Sequence, residues 1–249
     1  MTIWSSVVNQ TGTDEPLLTA SVFNGIVEKG RATKGSFVED YKSVCNEFSI
    51  TPCPFITASS FKPTEGLEVC RIANAKVDVS NWRAMLIACA TQGSKVVQID
   101  IHFCEISVVH LKDLAKAIET VGSILLLRLH YLQNIDVSSS EFMEAIKLLF
   151  SDALLLEYLS LVGNDLGDDF LTNYVIPVIP NNYRLRALNL SKNSLTDGPV
   201  GNLFMALRHR SNIVNISLQD NKLTGSFLVS SVGPIIGGSL VATSEDDGT

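Results

Sequence analysis

The sequence predicts an α/β solenoid, in which strand–helix units stack with parallel strands on one side and helices on the other. Three observations lead there. The phrase Leu185-x-x-Leu188-x-Leu190-x-x-Asn193-x-Leu195 recurs as Leu156-x-x-Leu159-x-Leu161-x-x-Asn164-x-Leu166 and as Ile213-x-x-Ile216-x-Leu218-x-x-Asn221-x-Leu223. Degenerate copies extend the array, so that copies begin at residues 67, 96, 124, 156, 185 and 213, spaced by 29, 28, 32, 29 and 28 residues. A period of about 28–29 residues has room for a strand, a turn and a helix of about three turns, whereas one of about 20–24 has not. The third observation is that apolar residues after most phrases recur at helical spacing.

Residues 1–66 lack the phrase. Within them Phe37, Tyr41, Val44 and Phe48 fall at i, i+4, i+7 and i+11, an amphipathic helix that meets the breaker Thr51-Pro52-Cys53-Pro54. A cap over the apolar end of the first repeat is the expected role. The first copy, Leu67, Cys70, Ile72, Ala75 and Val77, has Ala in the Asn slot and predicts a less regular strand around 69–73. Trp82, Met85, Leu86 and Cys89 follow as its helix. The second copy, Val96, Ile99, Ile101, Cys104 and Ile106, predicts a strand over 98–102 and a helix on Leu111, Leu114, Ala115 and Ile118.

The third copy starts with Ile124, Leu127 and Leu129, giving a strand over 126–130 and a loop, Tyr131 to Ile135, stretched by one or two residues. Its helix carries Phe142, Ala145, Ile146 and Leu149, with Ser138 and Glu141 as a capping box. The last three copies predict strands over 158–162, 187–191 and 215–219. Val200, Leu203 and Leu207 mark the helix of the fifth, opened by Asp197-Gly198-Pro199 as cap and first-turn proline. Val232-Gly233-Pro234-Ile235-Ile236-Gly237-Gly238 is poor helix sequence, so the sixth repeat is expected to end irregularly. The repeats thus span 67–239, and 240–249 is an acidic tail.

Phrase and period resemble leucine-rich repeat proteins of the ribonuclease-inhibitor-like subclass, strongly over 154–223 and more weakly before it. The resemblance implies a right-handed solenoid bent into a horseshoe arc, strands concave and helices convex. The residues agree: slots 4 and 6 of each copy are apolar and face inward, slots 3, 5 and 7 face out, and the Asn of slot 9 caps loop backbone. That Asn exists only at Asn164, Asn193 and Asn221. Phe37-x3-Tyr41-x3-Cys45 followed by Pro52-x-Pro54 is similar to the segment preceding the repeats in some centrosomal and axonemal leucine-rich repeat proteins.

Composition narrows the function. Of 249 residues 46% are hydrophobic and 18% charged, enough for a sizeable core, and the net charge of −7 opposes broad binding to nucleic acid or an anionic membrane. The five cysteines are odd in number and form no CxxC pair, which signals neither a disulfide framework nor zinc. The amino terminus does not read as a secretory signal, and no apolar run reaches the ~18 residues of a transmembrane helix. A reducing, intracellular, cytoplasmic setting is expected.

Chemistry-bearing motifs are sparse. Gly30-Arg31-Ala32-Thr33-Lys34-Gly35-Ser36 lacks the Lys that should follow the second Gly of a phosphate loop, and reads as a flexible polar loop. No HExxH or GxSxG occurs, and no sequence arrangement pairs His102, His110, His130 or His209 with a nucleophile. Stacking the copies makes one constellation. Slot 5 carries Arg71, Asp100, Arg128, Ser160, Asn189 and Ser217, and slot 7 carries Ala73, His102, His130, Val162, Ser191 and Gln219. Phe103 and Tyr131 occupy slot 8, Leu126 and Tyr158 slot 3. A metal there would need a third good ligand and is opposed by Arg128. A protein-binding patch of Asp100, His102, Phe103, Leu126, Arg128, His130, Tyr131 and Tyr158 suits the usual aromatic and Arg anchors of interfaces, while the blander reading is a solvated or self-packed face. A second basic group, Arg184, Arg186, Lys192, Arg208, His209 and Arg210, either complements a helix carboxyl end or docks an acidic partner.

The expected function is a non-enzymatic protein–protein scaffold without a cofactor, its partners other proteins within a large complex, with no nucleic acid and no membrane. The amino-terminal likeness implies a cytoskeletal address such as a ciliary or flagellar axoneme. The alternative is a small-GTPase regulator resembling the Ran GTPase-activating proteins, although this chain has only a short acidic end and its loop residues are not matched one by one.

Overall fold

Six strands lie parallel and follow one another in chain order, one for each copy of the phrase. They belong to a computed structural model that describes residues 18–58, 60–61, 67–208 and 212–224. The strands are β2 (Glu68–Ala73), β3 (Val96–His102), β4 (Leu126–His130), β5 (Tyr158–Ser160), β6 (Ala187–Asn189) and β7 (Asn215–Ser217). Ahead of them a two-residue strand, β1 (Ser60–Phe61), pairs antiparallel with β2 at the sheet edge, which the sequence did not predict. The architecture is α/β, and the order β2-β3-β4-β5-β6-β7 makes every parallel crossover a neighbour-to-neighbour step.

The register matches the slots. Arg71 pairs with Asp100, Asp100 with Arg128, Arg128 with Ser160, Ser160 with Asn189 and Asn189 with Ser217. Strand lengths run opposite to expectation. The degenerate first and second copies carry the longest strands, with an irregularity only between Glu68 and Val69, whereas the three well-matched copies have three residues each. Backbone bonds to the following repeat continue past those short strands, from Leu161 to Asn189, Gly163 to Ser191, Leu190 to Ser217 and Lys192 to Gln219, before the side-chain-capped loop begins.

Slots 4 and 6 form the core. Cys70, Ile72, Ile99, Ile101, Leu127, Leu129, Leu159, Leu161, Leu188 and Leu190 are all buried against the helices. Each such aliphatic stabilises the fold by roughly 1.5–3 kcal/mol relative to exposure. The helices are α4 (Val79–Cys89), α5 (Val108–Val121), α6 (Ser140–Lys147) and α8 (Asp197–Leu207), where the spacing places them. Two caps differ by one residue. Ser139, not Ser138, accepts from the Phe142 amide, because Ser138 is held in a turn on Asp136. Thr196 is the cap residue of α8, and Asp197 instead accepts from the amide and hydroxyl of Thr224 in the next repeat. The fourth repeat has α7 (Gly167–Phe170), continued by a π turn over Leu171–Val175, and then a single 3-10 turn over Ile179–Asn181. Pro177 and Pro180 deny further helical donors there.

The slot-9 ladder joins one repeat to the previous one. The amides of Asn164, Asn193 and Asn221 donate to the slot-6 carbonyls of Leu129, Leu161 and Leu190 at 2.8, 2.8 and 2.9 Å. Cys104 has the same post, its thiol reaching the Ile72 carbonyl at 3.6 Å. The third loop is not stretched at this point. Leu132 fills slot 9 and is buried, and the register holds as far as the Glu105–Gln133 bridge, so the extra residues come later.

Slot 8 shows a second regularity. Asn74, Phe103, Tyr131, Gly163, Lys192 and Asp220 all have φ between 51° and 71°. Through Lys192, each donates its amide to the slot-7 carbonyl of the following repeat at 2.9–3.1 Å. The turn out of every strand therefore needs a left-handed residue.

The amino-terminal segment folds as α1 (Ala20–Lys29), α2 (Phe37–Glu47) and α3 (Pro54–Thr57). Helix α2 carries the predicted stripe and a Ser36–Glu39 capping box. It packs on α4, and α1 packs on α4 and α5. Phe23, Val27, Phe37, Tyr41 and Val44 share one apolar cluster with the repeats. Helix α1 is tied down by buried Arg83, which donates to Asp113 and to the Leu18 carbonyl at 2.7 Å each and lies 6.0 Å from the Phe23 ring centre. The loop over residues 30–36 is pinned rather than flexible. Thr33 and Lys34 donate to Asp40, and Gln92 exchanges backbone bonds with Arg31 and Thr33. Among the described residues no helix is long and apolar enough to cross a membrane. Val232–Gly238, the acidic tail, His209 and Arg210 lie outside the described residues.

Candidate functional site

The sheet face opposite the helices gathers the eight residues that the slots assign to it. Alternation along each strand turns slots 3, 5 and 7 to that face, and parallel pairing sets equal slots about 4.8 Å apart. The face is more self-packed than slot counting suggests. Asp100 is 0% exposed, with Oδ2 accepting from Arg71 Nη2 at 3.0 Å and Nε at 3.2 Å, and Oδ1 accepting from Gln98 at 2.7 Å. Arg128 approaches Oδ2 from the other strand at 3.6 Å. One buried carboxylate thus sits between two guanidinium groups, an arrangement that offsets its desolvation.

Arg128 also lies over the Tyr158 ring, 5.5 Å from its centre. Leu126 and Tyr158 are register partners in slot 3, each half-buried. His102 and His130 meet edge to face with centres 4.7 Å apart. Burial pulls His130 down to about 4, assisted by His102 and the Arg128 guanidinium, and burial likewise lowers His102. Both rings are neutral at neutral pH. His102 Nε2 is buried and has no hydrogen-bond partner among the described residues.

One pairing was missed from sequence: His130 Nε2 lies 2.6 Å from Ser160 Oγ. Slot 7 of one strand meets slot 5 of the next, a contact that sequence distance hides. The pair lacks the marks of an activated nucleophile. Ser160 is fully buried, His130 is a weak base, and Asp100 is committed to Arg71, Gln98 and Arg128 rather than to the imidazole. Its work in this geometry is to satisfy a buried hydroxyl.

At the rim of the face Phe103 and Tyr131 stack with centres 4.7 Å apart and planes within 2°. Both sit in slot 8, Phe103 at φ 53° and Tyr131 at φ 51°. Gly163, in the same slot of the next repeat, leaves room for the Tyr131 ring: a Cβ there would lie 2.3 Å from Tyr131 Cε1. Tyr131 passes over this gap toward Lys192, and its proximity raises the lysine's pKa. Slots 3, 5, 7 and 8 of the second to fourth repeats are thereby linked into one surface.

The second basic group does not assemble in the same way. Lys192 pairs with Asp220 at 3.6 Å, and Arg184, Arg186 and Arg208 form no ion pair among the described residues. No protein-family model matches the chain, and no curated protein matches it at a significant level.

Proposed function

We propose that the chain is a leucine-rich repeat solenoid of the ribonuclease-inhibitor-like subclass, a non-enzymatic scaffold that binds another protein through the helix-free sheet face. In-register repetition with a period of 28 to 32 residues and the slot-9 hydrogen-bond ladder support the repeat reading. The observation that carries the binding reading is the contiguous display of Arg71, Arg128, Phe103, Tyr131 and Tyr158 on a face that no helix among the described residues covers. Aromatic and Arg side chains are the residues that most often anchor interfaces, and a pre-packed constellation loses little entropy on docking. The five unpaired cysteines suit a reducing intracellular compartment. The amino-terminal segment supports assignment to a cytoskeletal assembly such as a ciliary or flagellar axoneme.

Affinity capture from detergent-extracted cytoskeleton tests this reading with Arg128→Glu, Tyr131→Asn and Tyr158→Ala variants that retain the native melting temperature. Selective loss of one protein set in all three supports it. Intact capture by all three removes the sheet face, and complete release of the native chain into the soluble fraction removes the cytoskeletal address. Stimulated GTP hydrolysis by a small GTPase would favour the regulator reading instead.

A further inference from the structure

We infer that the sheet face recognises an acidic–aromatic peptide segment, its carboxylate seated on Arg71 and Arg128 and its ring on the Phe103–Tyr131 stack. The inference rests on the binding reading above and adds the chemistry of the partner. Charge is the first argument. Among the strand residues at slots 3, 5 and 7, only Arg71, Asp100 and Arg128 are charged at neutral pH, since His102 and His130 are held neutral. Two cations against one anion leave this face at +1 within a chain of net charge −7. Asp100 has no oxygen to spare, but the guanidinium groups have donors to spare. A guanidinium carries five N–H donors. Arg71 uses Nε and Nη2 on Asp100 with its side chain 50% exposed, and Arg128 makes one ionic contact with 34% exposed. Asp100 thus fixes both side chains in position for a second, incoming carboxylate.

The aromatic stack supplies the second argument. Slot 8 needs a left-handed backbone in every repeat, which Asn74, Gly163 and Asp220 adopt at little cost. Phe103 and Tyr131 are poorly suited to it, because bulky side chains rarely adopt positive φ. The slot would be filled more stably by Asn or Gly, so local folding does not explain the rings. Stacking returns part of the strain, yet Phe103 remains 41% exposed. Two adjacent rings held at positive φ, Phe103 exposed and Tyr131 half-buried, are a pattern expected where a surface is kept for recognition.

The two half-sites lie three residues apart along β4 and its exit turn, roughly 10 Å at ordinary strand rise. A short extended segment bridges that gap with an acidic and an aromatic residue separated by one to three others. Fluorescein-labelled decapeptides of Gly and Ser carrying one Glu and one Phe at those separations are suitable probes, read by anisotropy against the full chain. At least one separation should bind, and its Glu→Gln and Phe→Ala forms should each bind at least ten-fold more weakly. Tyr131→Asn should weaken binding about thirty-fold, the usual effect of losing an aromatic anchor, and Arg128→Gln should erase the Glu/Gln difference. Asn suits positive φ, so Tyr131→Asn should fold at least as well as the native chain. Absence of saturable binding below about 1 mM overturns the inference, as does binding insensitive to both variants. Equal binding of Glu and Gln peptides, still lost in Tyr131→Asn, overturns acidic recognition while leaving the face a binding surface. Failure of the binding reading itself would show separately, as native partner capture untouched by these variants.

Discussion

Asn193 Oδ1 accepts from the backbone amide of Asn164 at 3.1 Å, and from that of Leu166 at 3.3 Å, so one side chain ties two residues of the preceding repeat. Its Nδ2 donates to the Leu161 and Ser191 carbonyls, at 2.8 and 3.1 Å. Asn221 repeats the motif one step on, serving the amides of Asn193 and Leu195. The side chain thereby serves backbone amides that lie beyond the slot-8 bonds to the following repeat.

Asn193→Ala should therefore lower stability by about 1–3 kcal/mol for each backbone group left unsatisfied, partly relieved where water enters. Asn193 is 0% exposed, so relief should be small. Asn134 lies exposed beyond slot 9 of the third repeat, and its alanine variant should cost less. Urea melts of both variants check the ranking; equal losses would contradict the assigned ladder.

Much of this was legible in the sequence because the repeat converts distance along the chain into distance across the sheet. Once slots were assigned, the Arg71–Asp100–Arg128 row and the His102–His130 pair followed from parallel pairing alone. Burial did not follow. Slot 5 faces away from the helices, yet Asp100 and Ser160 are fully buried, because neighbouring Arg, His and Tyr side chains lie across them. The left-handed slot 8 was also hidden, since Phe103, Tyr131 and Lys192 carry none of the usual signs of positive φ. Helix α1 was missed, although Thr19 as cap with Phe23, Ile26 and Val27 at helical spacing could have found it.

Gly163→Ala should damage the aromatic rim more than Gly167→Ala, although the two glycines have similar φ of 71° and 70°. At Gly163 an added Cβ would come within 2.3–3.0 Å of three Tyr131 ring atoms, while at Gly167 it would meet nothing within 4 Å. Both variants carry the backbone cost of a side chain in the left-handed region, of order 1 kcal/mol. Only Gly163→Ala must also move the Tyr131 ring off Phe103 and away from Lys192. Near-ultraviolet circular dichroism should change selectively in that variant, and its melting temperature should fall further; matching spectra and losses would refute the packing argument.

Stability should fall as pH drops from about 6.5 toward 4, before most carboxylates titrate. Burial holds His102, His110 and His130 below the ordinary imidazole value, His130 at about 4. The sign follows from proton uptake. Above about pH 6.5 the imidazoles are neutral in both states, and the contribution is flat. Below it the unfolded chain binds protons that the native chain excludes, so the native state loses ground until the folded value is passed. His130 faces His102, Arg128, Asp100 and Ser160, and a proton there would add positive charge beside a guanidinium. Asp113, raised by burial, opposes the trend because the native state binds its proton first. Comparison with His130→Gln separates the two, since that variant keeps Asp113 and removes the titrating ring. Melting temperatures across pH 7.5 to 4.5 should decline less steeply for His130→Gln than for the native chain; parallel declines would mean that His130 is not held neutral by burial.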